Sequence, residues 1–256
     1  MNTLKELCNK QGPKLGTYVA EFATPGIGHI LRSAGCEYVL FGMEHSGFSI
    51  ETTKTVLRLM EAAALPVIVH VPTCSYADIA HVCDVGAEGI LTPMTSTVDQ
   101  ARAALDAIKY PPLGNRSCGM PIAYERHKGT MIEQIAAANA RTVYVPLIET
   151  AEGVENADAI AALDGVDAIW VGQLDLSISL GIPDKLDHPL FLSAIERVAN
   201  AGRRHGKPMA ILAATVDQGR SFYEIGYDMI CFSEDTLIYR DALSAGLSEL
   251  RAKLPS

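Results

Sequence analysis

The sequence contains no apolar run approaching the roughly 18 residues that a membrane helix needs. Its opening stretch, MNTLKELCNKQGPKLG, has no apolar core flanked by basic side chains. A membrane anchor or secretory leader is therefore not expected, and the cytoplasm is the expected location. Positive charge is short: 21 Lys and Arg stand against 30 Asp and Glu, a net charge of −9. That balance lacks the cationic footprint needed to neutralise phosphate, so nucleic acid and anionic membrane are not expected partners. The six cysteines (Cys8, Cys36, Cys74, Cys83, Cys118 and Cys231) never fall at C-x-x-C spacing, and they read as reduced, mostly inert thiols. Neither G-x-x-x-x-G-K-[ST] nor a G-x-G-x-x-G after the first apolar run is present, which removes the usual cradles for nucleotide phosphates. Low-complexity segments and linkers are missing too, so residues 1–256 are expected to form one domain.

What the sequence does hold is apolar: 48% hydrophobic residues against 20% charged, enough to bury a sizeable core. Eight short runs rich in Val, Ile and Leu recur, at 15–20, 37–42, 66–71, 88–93, 142–149, 167–172, 208–213 and 228–233. Amphipathic stretches separate them, most ending in Gly or Asn as helix C-caps do. Strand–helix alternation of this kind implies a parallel sheet, and strands apolar throughout imply cover on both faces. Eight such units in 256 residues fit a (β/α)₈ barrel, an α/β fold, better than an open doubly wound sheet. One connection, 109–130, is unusually long and rich in Pro, Gly and polar residues, as functional loops are. The final pattern, 236–254, is an amphipathic helix expected to pack across a subunit boundary.

A barrel collects its chemistry just past the C-terminal ends of its strands. That filter selects Glu44 and His45 after the second run, His70 at the end of the third, Glu149 after the fifth, and Asp175 after the sixth. Adjacent strands carry Glu149 and Asp175 to one rim, where two carboxylates suit a hard divalent cation. The competing readings are a helix-capping Glu149 and an Asp175 at the start of the helix that Asp-Leu-Ser-Ile-Ser-Leu suggests. His45 has the chemistry of a general base, or of an exposed loop histidine. Asp84 precedes the fourth run and by itself reads as a helix-end carboxylate.

Five ordered motifs then make a resemblance. Gly-Met-Glu-His-Ser-Gly (42–47), Asp-Val-Gly-Ala-Glu-Gly-Ile-Leu-Thr-Pro-Met (84–94), Tyr-Pro-Pro-Leu-Gly-Asn-Arg-Ser (110–117), Leu-Ile-Glu-Thr (147–150) and Val-Gly-Gln-Leu-Asp-Leu-Ser (171–177) resemble those of the class II pyruvate aldolases, also called the HpcH/HpaI aldolase family. The resemblance covers essentially the whole chain. It implies a modified (β/α)₈ barrel whose C-terminal helix is exchanged between subunits of a homohexamer, a trimer of dimers with sites near interfaces. It also implies a lyase that cleaves or forms 4-hydroxy-2-oxo acids through the enolate of pyruvate, with an aldehyde as the other partner. Glu149 and Asp175 then hold Mg²⁺, Mn²⁺ or Co²⁺. His45 is the base, Asp84 its orienting partner, and Glu44 lies beside the metal or its water. Amides near Gly172, Gln173 and Leu174 receive the substrate carboxylate.

Three positions depart from the family pattern: Gly42 replaces its usual aspartate, His70 its arginine, and Leu147 a glutamine found in several members. The arginine matters most, because a guanidinium offers permanent charge and a donor fork to the keto oxygen, whereas a histidine is only conditionally charged. His70 is counted with the catalytic candidates on that ground. The departures leave two alternatives open. One is a related metal-dependent reaction, such as decarboxylation, citrate-synthase-like condensation or lysis of an acyl ester. The other is a binding homologue with impaired catalysis.

Overall fold

The computed structural model describes residues 3–119 and 129–255. After a short helix α1 (Leu4–Asn9), the chain runs β1 (Lys14–Val19), α2 (Ile27–Ser33), β2 (Tyr38–Gly42), α3 (Ile50–Ala62), β3 (Val67–His70), α4 (Tyr76–Asp84), β4 (Gly89–Thr92) and α5 (Val98–Ile108). The second half continues α6 (Met131–Arg141), β5 (Val143–Ile148), α7 (Ala151–Ala161), β6 (Ile169–Val171), α8 (Gln173–Ser179), α9 (Pro189–Arg204), β7 (Met209–Ala213), α10 (Val216–Ile225), β8 (Met229–Glu234) and α11 (Asp235–Lys253). Each strand pairs in parallel with the next and β8 pairs with β1, closing the expected eight-stranded barrel. All eight apolar runs became strands. No helix among the described residues is long and apolar enough to cross a membrane.

Local chemistry starts the helices where they start. Ser49, Ser75, Thr97, Thr130, Thr150 and Thr215 each accept, through the side-chain hydroxyl, an N–H in the first turn of the helix that follows, satisfying a donor the helix itself cannot. Along the strands, successive side chains alternate between two cores. Tyr38, Leu40, Ile68, Leu91, Val143, Val145, Leu147, Trp170 and Ala210 fill the barrel, whereas Val39, Phe41, Val69, Ile90, Tyr144, Ile148 and Ile211 pack outward against the helices.

Helix α1 has no counterpart in the sequence reading. Its Leu4, Leu7 and Cys8 join the interior core, so this helix plugs the barrel at the N-terminal ends of the strands. Gly89 admits it: a Cβ there would stand 2.4 Å from Cδ2 of Leu4. The long connection also starts at this end. Lys109 donates through Nζ to the carbonyl of Thr142 at the foot of β5 (2.7 Å), and Arg116 stacks on the Tyr110 ring, 4.4 Å from its centroid. Residues 120–128 of that connection lie outside the described residues.

Helix α11 forms as the sequence suggests but barely packs. Only Asp235 is buried, and Ile238, Tyr239, Leu243, Leu247 and Leu250 face outward.

Candidate active site

The opposite mouth, at the C-terminal ends of the strands, gathers the titratable groups. β5 delivers Glu149, whose side chain is buried and whose Oε1 accepts the N–H of Met94 at 2.5 Å. Met94 holds φ at +51°, a strained backbone for a non-glycine residue that is tolerated where surrounding structure fixes it. The surroundings do so here. Ser96 and Thr150 hydroxyls bond at 2.6 Å, and Asn156 donates to the Ser96 carbonyl at 2.8 Å. These bonds tie the turn after β4 to the start of α7.

Burial pushes the Glu149 carboxyl up to about 7, against the pull of the Met94 amide, and the negative charges of Asp175 and Glu44 add to the rise. Asp175 sits exposed in the first turn of α8. Gly172 is needed for space: a Cβ there would fall 2.3 Å from Oε2 of Glu149. Beside it, the buried Oε1 of Gln173 has no hydrogen-bond partner among the described residues. Buried negative charge crowded by further carboxylates, with an orphaned amide oxygen next to it, is a donor set that fits a hard cation. Among the described residues no cluster of three or more His, Cys, Asp or Glu side chains suits a metal, so two protein carboxylates would leave coordination positions for ligand and water.

One expectation is corrected at the start of α8. The amide of Gly172 is already used, donating to the Ile148 carbonyl at 3.1 Å in the ladder between β5 and β6. It cannot receive a substrate carboxylate. Gln173 is buried and Leu174 is exposed, and their amides begin the first turn of α8, where N–H groups lack intrahelical acceptors.

Across the mouth, Glu44 stands between two histidines. Its Oε2 lies 2.8 Å from Nε2 of His70 and 3.4 Å from Nε2 of His45. His70 points inward from the end of β3 and is buried, whereas the His45 side chain is 69% exposed on the rim. The approach of His70 to Glu44 is close enough for an ion pair, although Nε2 makes no well-aligned hydrogen bond. Burial alone would raise the Glu44 carboxyl, but contact with His70 and the charges of both histidines hold it below the ordinary carboxylate range.

Asp84 is elsewhere. It ends α4, the helix that descends from β3 to β4, and therefore lies toward the N-terminal ends of the strands. It pairs there with Arg116; the carboxylate paired with His45 is Glu44. Within one chain the structure does not bring His45 and Asp84 together.

Two contributors escaped the sequence reading. Met94 closes the 84–94 motif, but nothing in it signals a left-handed backbone aimed at Glu149. Tyr18 on β1 faces the barrel interior, and a Cβ on Gly42 would fall 2.1 Å from its hydroxyl. The phenol fills the space that a side chain at position 42 would need.

The chain is similar to known proteins over nearly its whole length. Residues 15–242 match the profile of the family described as HpcH/HpaI aldolase/citrate lyase. The chain is 29% identical over 251 residues to a 2-keto-3-deoxy-L-rhamnonate aldolase of Salmonella typhi, covering 98% of this chain and 94% of that protein. Among solved structures, an HpcH/HpaI aldolase/citrate lyase family protein from Burkholderia cenocepacia superposes with a TM-score of 0.90 at 30% identity, covering 98% of this chain and 100% of the other. The citrate synthase SbnG superposes with a TM-score of 0.88 at 26% identity, covering 98% of both chains.

Proposed function

Because the chain belongs to the HpcH/HpaI aldolase/citrate lyase family and is an enzyme of its aldolase type, we propose that it makes or breaks the carbon–carbon bond between pyruvate and an aldehyde, acting on 4-hydroxy-2-oxo acids. The observation that carries this reading is Glu149: a buried carboxyl held near 7, cradled by Gly172 and Met94, and facing Asp175. Glu149 and Asp175 are the residues to hold Mg²⁺, Mn²⁺ or Co²⁺, which when bound supplies Lewis-acid polarisation of the 2-oxo acid.

The remaining work falls to the chain's own groups. His45, on the rim and open to ligand, takes the proton of the C4 hydroxyl as a neutral imidazole. The C3–C4 electron pair passes to the pyruvate half, and the aldehyde departs. Glu44 steadies the protonated His45, and His70 beneath it fixes Glu44, so a His70–Glu44 pair stands where the family has an arginine. Gln173 and Leu174 line the start of α8 beside the ligand's carboxylate end. Asp84 joins His45 only from a second copy of the chain, which makes an assembled oligomer part of the reading.

The test is exchange of the pyruvate methyl protons for deuterium with each of the three cations, which needs no knowledge of the aldehyde. The wild-type protein exchanges them only with metal present, and His45→Ala slows the exchange about 10²–10⁴-fold while metal affinity stays within a few-fold. Exchange that ignores both the metal and His45 sinks the proposal. The similarity to citrate synthase SbnG favours one second reading, a citrate-synthase-like condensation.

A further inference from the structure

The Tyr18 hydroxyl is unaccounted for by the chemistry above. It reaches into the mouth from β1, is only part-buried, and has no hydrogen-bond partner among the described residues. Gly42 is what lets it stand there, since a side chain at 42 would overlap its oxygen and ring, with Cε2 at 2.5 Å and Cζ at 2.6 Å.

Position in the barrel says which part of a ligand it meets. In the closed order β1 to β8, β1 lies diametrically opposite β5, the strand that carries Glu149 to the rim. A ligand whose 2-oxo acid end lies at Glu149 and Asp175 turns its far end toward β1. The inference therefore rests on the function proposed above and adds to it the nature of the second substrate.

The charged groups whose fields act on the Tyr18 hydroxyl are carboxylates. Burial and the fields of Glu234, Glu44 and Asp235 push its phenol up to about 12, so it remains a neutral donor throughout the physiological range. Asp235 is spent inside the protein, accepting the backbone N–H groups of Ala20, Glu21, Phe22 and Thr236. Two part-buried carboxylates stand beside it: Glu234, level with Tyr18 in the pairing of β1 with β8, whose Oε1 accepts the Thr236 hydroxyl, and Glu44, whose Oε2 is engaged by His70 and His45. Arg240 is the nearby cation that feels Glu234, and it is paired with Asp241. One free donor flanked by carboxylates suits a hydroxyl-bearing, uncharged group and opposes a second carboxylate.

We propose that the Tyr18 hydroxyl contacts the aldehyde half of the substrate and, with Glu44 and Glu234, selects a neutral hydroxylated aldehyde over an anionic one. The experiment compares glycolaldehyde with succinic semialdehyde in metal-supported aldol addition to pyruvate, using the full-length wild type, Tyr18→Phe and Glu234→Gln. For the wild type, kcat/KM favours glycolaldehyde by at least about tenfold. Tyr18→Phe raises KM for glycolaldehyde about five- to tenfold, the worth of one neutral hydrogen bond, and moves KM for pyruvate less than about twofold. Glu234→Gln narrows the preference between the aldehydes. An unaltered glycolaldehyde KM in Tyr18→Phe, an equal rise in both KM values, or a wild type that prefers succinic semialdehyde overturns the inference. Failure of the wild type to exchange pyruvate protons would instead count against the proposed reaction. Tyr18 is then judged by saturation-transfer NMR of glycolaldehyde: loss of the signal in Tyr18→Phe supports its role, and equal signals from the two proteins reject it.

Discussion

At the scale of single residues, a carboxyl lifted to about 7 sets a proton and a cation in competition. For Glu149 the folded value lies above the unfolded one, so the group costs nothing at low pH, where both states are protonated. As pH rises from about 4.5 toward about 7 the unfolded chain ionises first and stability is lost, and above 7 the deficit is constant. Glu149→Gln removes that dependence. In metal-free protein its melting temperature should draw ahead of the wild type's between pH 5 and 7 and hold a steady lead above 7; parallel curves across that range would show that Glu149 is not strained. In the wild type, metal Kd read by calorimetry should rise about tenfold per pH unit below 7, whereas Glu149→Gln should bind no metal with measurable affinity.

At the scale of elements, the two ends of the barrel are built differently. The mouth is held by short polar ties such as Ser96 with Thr150, which aim a backbone amide without filling the space above it. The foot is sealed by apolar packing, with α1 inserted where Gly89 leaves room for Leu4. Gly89→Ala forces the helix outward, and because overpacking a filled core costs about 1–3 kcal/mol, urea denaturation should show a loss of that size. Gly89→Ala combined with Leu4→Ala should recover part of it, since the second change empties the contested space. A lone Gly89→Ala as stable as the wild type would mean that α1 rests on the barrel without plugging it.

At the scale of the whole molecule, two features of the single chain point beyond it. The outward apolar row of α11, Leu243, Leu247 and Leu250 beyond a Tyr239 that meets Phe22 edge-on, is exposed, and such faces mark protein contacts. His45 at the mouth and Asp84 toward the foot belong to opposite ends of one barrel, yet the proposed mechanism wants them together. Both demands are met if copies assemble with one chain's Asp84 beside another's His45. Mixing His45→Ala with Asp84→Ala, each nearly inactive alone, should after subunit exchange rebuild about a quarter of the sites in random closed oligomers, visible as regained pyruvate exchange. No regain, with mixed oligomers confirmed by native mass spectrometry, would remove Asp84 from the mechanism.

The sequence by itself determined the barrel, because strands buried on both faces must be apolar throughout and helices between them must be amphipathic, and both patterns are local. It determined the rim candidates for the same reason: a residue just past an apolar run falls at a strand end whatever the packing, and Glu44, His45, His70, Glu149 and Asp175 all arrived there. Tertiary structure decided what depends on distance across the fold. That Gly42 makes room for Tyr18, 24 residues earlier, that Gly89 makes room for Leu4, and that Gly172 yields space to Glu149 but not its amide are facts of close approach between distant segments. No periodicity encodes them. The separation of Asp84 from His45 is of the same kind, since α4 starts at the mouth with Tyr76 and its descent carries Asp84 to the opposite end of the barrel.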